Sequence, residues 1–185
     1  MKLSDGEKLI LLMLSDIYAH LEIDPETGFD PEFIKSAVHN DHIWGLTWQY
    51  PGIPWDMKDT PPAVGEVVNI LEMWDVVEGA YEKLSREDQH RVKTGAGRSH
   101  EPKFPGFDGN NEAKHYSIAL FLTRDLHKFS RFRDRDLNSH APLLGAYERM
   151  YAVFEPMRPS ITFGTMSGPQ LIEVLKAMRH PSHQG

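Results

Sequence analysis

Apolar residues recur along the chain at the spacing of one helical face, in blocks set off by prolines, glycines and polar tracts. Leu9 to Leu21 form the first block, opened by Ser4 and Glu7, a capping box in which each side chain satisfies an amide of the first turn. This predicts a helix over residues 5–22. The apolar run LILLML at 9–14 puts hydrophobic side chains all round that helix, so it is expected to be buried on several sides or to keep a face for a partner subunit. Asp30 before Pro31 has the chemistry of an N-cap and first turn for a second helix reaching Asp41.

Residues 42–62, HIWGLTWQYPGIPWDMKDTPP, carry Trp44, Trp48 and Trp55 among four prolines, and no helix fits them. Leu46, Trp48 and Tyr50 alternate with Thr47 and Gln49, which leaves room for one very short strand in a rigid aromatic loop. Thr60 is expected to cap the third helix, with Pro61 and Pro62 in its first turn. Val64, Val67, Leu71, Trp74, Val77 and Tyr81 cover most of its circumference, marking residues 61–84 as the central helix. Its polar stripe, Glu66, Glu72, Asp75, Glu78 and Glu82, calls for arginines or lysines from elsewhere. A short surface helix follows at Ser85 and Asp88, in a polar segment that offers little core. Asp108 is expected to open the next long helix, and Asn138 or Ser139 another, with Pro142 in its first turn and Pro156 and Pro159 closing it. Ser167 and Gln170 form a second capping box before the final helix. The expectation is an all-α, single-domain bundle of six or seven helices over residues 1–185, with one very short strand pair allowed.

Composition narrows the function. A net charge of −7 disfavours broad binding to nucleic acid or to anionic membrane, and the absence of cysteine excludes disulfides, thiolate metal sites and a cysteine nucleophile. No apolar run approaches the roughly 20 residues of a bilayer crossing, and a cytoplasmic location is expected. P-loop, dinucleotide, serine-hydrolase and zinc-protease motifs are missing.

Taken in order, the segments KLILLML, ILEMWDVVEGAYEKL, PGFDGNNEA and AYERMYAVFEPMRP, with the capped final helix, resemble the YfbU-like family of bacterial proteins nearly end to end. The loop GFDGNNEAKH with AYERM behind it is the most specific part. The resemblance implies an all-helical, oligomeric, cytoplasmic protein and brings no established catalytic residue. The tryptophan-rich loop, His115 and His140 depart from what the family leads one to expect.

Several groups invite a chemical reading. Glu112 and His115 have the Glu-x-x-His spacing of helical metal sites, as do Glu87 and His90. His39 with His42 and His180 with His183 each lack a third ligand, so neither metal nor cofactor is expected. Glu112 is expected instead to complement a helix N-terminus. In RDLNSH, Arg135 and His140 are spaced similarly to the motif of helical HEPN ribonucleases, in which histidine moves the ribose hydroxyl proton and arginine stabilises the transition state. The simpler reading is a cap at Asn138 and Ser139. Lys128, Arg131, Arg133 and Arg135 more often offset a helix dipole and pair with carboxylates than grip phosphate. Trp44, Trp48, Tyr50 and Trp55 make the best candidate binding surface, for a protein or peptide, while Asn110 and Asn111 are open to a ligand role beside Glu112 and His115. The sequence therefore points to a non-enzymatic binding or regulatory module acting as a homo-oligomer, with metal-independent RNA cleavage by Arg135 and His140 as the alternative.

Overall fold

Eight α-helices make up the main regular structure among the residues that the computed structural model describes, 3–23, 28–55, 60–161 and 165–179. They are α1 (Asp5–His20), α2 (Pro31–His39), α3 (Trp44–Gln49), α4 (Pro62–Glu82), α5 (Arg86–Gly95), α6 (Ala113–Leu120), α7 (Leu144–Met157) and α8 (Gly168–Ala177). The all-α expectation holds. The sole strand-like pairing among the described residues with both partners identified is one isolated parallel bridge, Phe107 to Asn138.

Both capping boxes form, Ser4 with Glu7 on α1 and Ser167 with Gln170 on α8, and Asp30 caps α2 by accepting from Glu32 and Phe33 amides. α4 is the central helix: Val64, Val67, Leu71, Met73, Trp74 and Val77 are fully buried, with α6, α7 and α8 packed around them. α5 lies on α8 and contributes Val92 to the core, which the polar reading of its segment did not anticipate. α1 packs chiefly on α2.

Three boundaries differ from expectation. The extra helix is α3, where a loop or short strand was expected. An all-helical core offers a strand no ladder partner, whereas one helical turn and a half buries Trp44, Gly45 and Leu46 together. Gly45 is needed there, since a Cβ would stand 2.3 Å from the Phe121 ring. Thr60 does not cap α4. The cap is Pro61 with no side-chain bond, and because Pro61 and Pro62 have no amide hydrogen, fewer donors need satisfying. Finally, Asp108, Asn138 and Ser139 do not open helices: α6 begins at Ala113 and α7 at Leu144, for a reason that lies in Glu112.

After α6 the chain widens into a π-helical turn, Phe121–Asp125, where the Leu126 amide donates to Phe121 O and the Thr123 hydroxyl returns to Ala119 O. His127 and Phe129 then take positive φ and end the helix.

Candidate functional site

The loop at 104–112 and the segment at 135–144 are tied to each other before either joins a helix. Phe107 N–H donates to Leu137 O at 2.8 Å and Ser139 N–H to Phe107 O at 3.1 Å. Gly106, at φ 94°, lets the two segments approach, since a Cβ there would meet Leu137 O at 1.9 Å. Asp108 makes a local turn, accepting from Asn110 N–H at 2.9 Å and from the Asn111 side chain at 2.5 Å. Those bonds, the Asn111 side chain first, hold the Asp108 carboxyl below its ordinary range, and nearby His140 adds to the effect.

Glu112 is the hub. One carboxylate oxygen accepts from Leu143 and Leu144 amides at 2.6 Å each, and the other accepts from Asp108 N–H at 2.9 Å. It therefore caps the N-terminus of α7 from another part of the chain, which is why α7 needs no local Asn or Ser. The helix N-terminus it complements is α7's, while it only precedes α6. His115 turns elsewhere, its Nε2 2.9 Å from Glu66 on α4 and its ring against Phe107. The Glu-x-x-His pair thus does not converge, and among the described residues no three His, Asp or Glu side chains are grouped to hold a metal ion. Glu87 pairs with Arg91, and His180 and His183 lie outside the described residues.

The acidic stripe of α4 is answered within the chain. Arg131 bonds Asp75 at 2.8 Å and Glu82 at 2.6 Å, and Arg158 reaches Glu72. Arg135 grips Glu78 with two parallel bonds of 2.8 and 2.6 Å, and Glu78, only 2% exposed, also accepts from Phe104 N–H at 2.7 Å. The guanidinium additionally stacks over Phe132. His140 is exposed and at φ 53°, and its backbone N–H donates to Asn138 Oδ1 at 3.0 Å. The Arg135 fork is thus taken up by Glu78.

A second, apolar site sits at the other end. A groove of about 440 Å³ is lined by Leu14, Ile17 and Leu21 from α1 and its end, by Phe29 just before α2, and by Tyr50 and Trp55 after α3. The polar tips of its rings are turned into backbone: Trp55 Nε1 donates to Tyr50 O at 2.8 Å, and Tyr50 Oη accepts from Asp30 N–H at 2.9 Å. That leaves ring faces and aliphatic chains on the surface of the groove. The four aromatic residues of the expected binding surface therefore divide. Tyr50 and Trp55 line the groove, Trp44 is buried against Phe121, and Trp48 covers Trp44 edge-on from outside. The sequence marked α1, by the all-round hydrophobicity of LILLML, as burying several sides or keeping a face for a partner subunit, but not as a wall of this groove.

His42 is buried, with Nε2 3.0 Å from Ser117 Oγ and its ring on Phe121 and Trp44. Burial pushes its pKa down, against smaller opposing effects of the Ser117 bond and of Asp41 and Asp125. A depressed histidine stays neutral in the fold while the unfolded chain takes up a proton below about pH 6.5, so its stabilising effect is complete above that value and shrinks as pH falls toward the folded pKa. His42→Gln is expected to flatten this loss: in urea unfolding, the stability gap between wild type and variant narrows from pH 7 to pH 5.5. A gap that is constant or wider in acid contradicts the assignment.

Comparison with known proteins agrees with the fold. A family profile described as the YfbU domain matches residues 1–175, and the chain belongs to the YfbU family. A UPF0304 protein of Methanocaldococcus jannaschii is 29% identical over 155 residues, covering 80% of this chain and 86% of its own length. No solved structure matches the chain. The family is one of uncharacterised proteins, so membership names no reaction.

Proposed function

We propose that this YfbU-family chain is a non-enzymatic binding module that works as a homo-oligomer in the cytoplasm, using the apolar surface of α1 and the groove beside it. The groove carries the reading: it is concave, apolar and walled by two aromatic anchors whose polar atoms are already satisfied. Most of the conspicuous polar residues, by contrast, bond to the fold itself. No helix among the described residues is long and apolar enough to cross a membrane.

Binding of a polarity-sensitive anilinonaphthalene dye to dilute protein tests the groove. Loss of a tryptophan anchor typically costs about 2 kcal/mol, so Trp55→Ala is expected to weaken the dye roughly thirtyfold. Equal binding by wild type and variant would move the site elsewhere. The Arg135 fork is engaged by Glu78, which argues against RNA cleavage by Arg135 and His140. Mixed RNA incubated with wild type and His140→Ala tests that choice, and cleavage by wild type that the variant lacks would overturn the non-enzymatic assignment.

A further inference from the structure

We propose that the occupant of the free α1 face is α1 of a second copy, laid antiparallel about a two-fold axis; this rests on the homo-oligomer reading and gives it a surface. Leu9, Ile10, Met13, Leu14 and Ile17 on this helix, and Leu21 at its C-cap, are each more than half exposed. Leu11, Leu12, Ser15 and Tyr18, on its other side, are wholly or partly buried, with α2 packed there. α1 therefore has two apolar faces, of which the monomer uses one.

Ile10, Leu14, Ile17 and Leu21 are spaced four, three and four apart, the interval of a coiled-coil seam. Such a seam is complementary to itself. In the antiparallel register centred between Ser15 and Asp16, Ile10 faces Leu21 and Leu14 faces Ile17 of the second copy, and the two-fold repeats both layers. The six exposed side chains offer an apolar area on the order of 600 Å², at the upper end of what monomers leave uncovered and near the roughly 800 Å² per partner of a standard interface. Leu14, Ile17 and Leu21 also wall the groove, so the second copy roofs it.

Charge selects this occupant. The first turn of α1 carries Asp5 and Glu7, with Asp16 further along and Glu22 just beyond the helix, in a chain of net charge −7. Helices that lie on anionic membranes are rich in lysine and arginine on the polar face, and α1 has only Lys8. A parallel pairing would set two acidic first turns side by side, whereas the antiparallel one places them at opposite ends and opposes the two helix dipoles.

Sedimentation from low to high micromolar concentration, with far-UV circular dichroism, tests the pairing. Wild type is expected to dimerise, and Ile17→Glu to raise the dissociation constant roughly a hundredfold while keeping its helical signal, because Ile17 is exposed in the monomer. A monomeric wild type overturns the proposal, and if it still binds dye through Trp55, the groove reading survives alone. An oligomer unaffected by Ile17→Glu moves the interface off α1 and leaves the homo-oligomer reading standing. Should the variant misfold, the cysteine-free chain provides a second measurement. Ile10→Cys with Leu21→Cys is expected to give covalent dimers on mild oxidation and Ile10→Cys alone none, because like positions lie about 16 Å apart along the antiparallel pair. Efficient dimers from Ile10→Cys alone would mean a parallel pairing and would overturn the register.

Discussion

Glu112→Ala is expected to unfold about 10 °C below the wild-type protein. The carboxylate satisfies three backbone amides, of Asp108, Leu143 and Leu144, which join the 104–112 loop to the start of α7. Glu112 itself is only 7% exposed, so water does not readily replace it. Each orphaned buried amide costs about 1–3 kcal/mol, and partial exposure at the α7 end brings the sum to about 3–5 kcal/mol. At about 2–4 °C per kcal/mol for a chain of this size, thermal unfolding resolves such a loss easily. Glu112→Gln should fall between, because it keeps one acceptor oxygen and turns an amide donor toward backbone donors. A residue held for a ligand commonly behaves the other way, and its removal leaves stability unchanged or raised. An alanine variant within 1 kcal/mol of wild type would contradict the structural role.

Arg135→Ala should lose a similar amount for a different reason. Glu78 is almost fully buried on the central helix, and Arg135 is its only cationic partner among the described residues. Breaking one side of a buried pair costs about 3–5 kcal/mol because the remaining charge is left without compensation. Replacing both partners by apolar residues, Glu78→Leu with Arg135→Met, removes that charge and leaves chiefly the Phe104 amide unsatisfied, at about 1–3 kcal/mol. The double variant is therefore expected to be more stable than Arg135→Ala, and the double-mutant cycle in urea to show strong coupling. If Arg135 were held chiefly for chemistry, the alanine variant would stay within about 0.5 kcal/mol of wild type.

These two residues also mark how far the sequence could be read. The helices with local start signals, Ser4 with Glu7, Asp30 and Ser167 with Gln170, begin where those signals stand. The acidic stripe of α4 implied cations from elsewhere, and Arg131, Arg135 and Arg158 supply them. What stayed hidden was non-local. α7 is capped by a carboxylate some thirty residues earlier in the chain, so the plausible local caps at Asn138 and Ser139 misplaced its start. Asn138 instead accepts from Gly109 and His140 amides and holds the two loops together. α3 was missed because prolines and tryptophans argue against a helix in isolation, while its reason to form is the packing of Gly45 and Trp44 on Phe121. The groove needed tertiary structure as well. Its aromatic wall was visible in sequence, but nothing local brings residues 50–55 opposite Leu14 and Ile17.

Amide hydrogen exchange compared between dilute and concentrated protein tests most directly whether the polar loops are internal clamps and the α1 face is the working surface. Slower exchange is expected at high concentration in residues 9–23 and 46–55, with residues 104–144 unchanged. Protection that appears in 104–144 while α1 exchanges at the same rate in both samples would contradict the account.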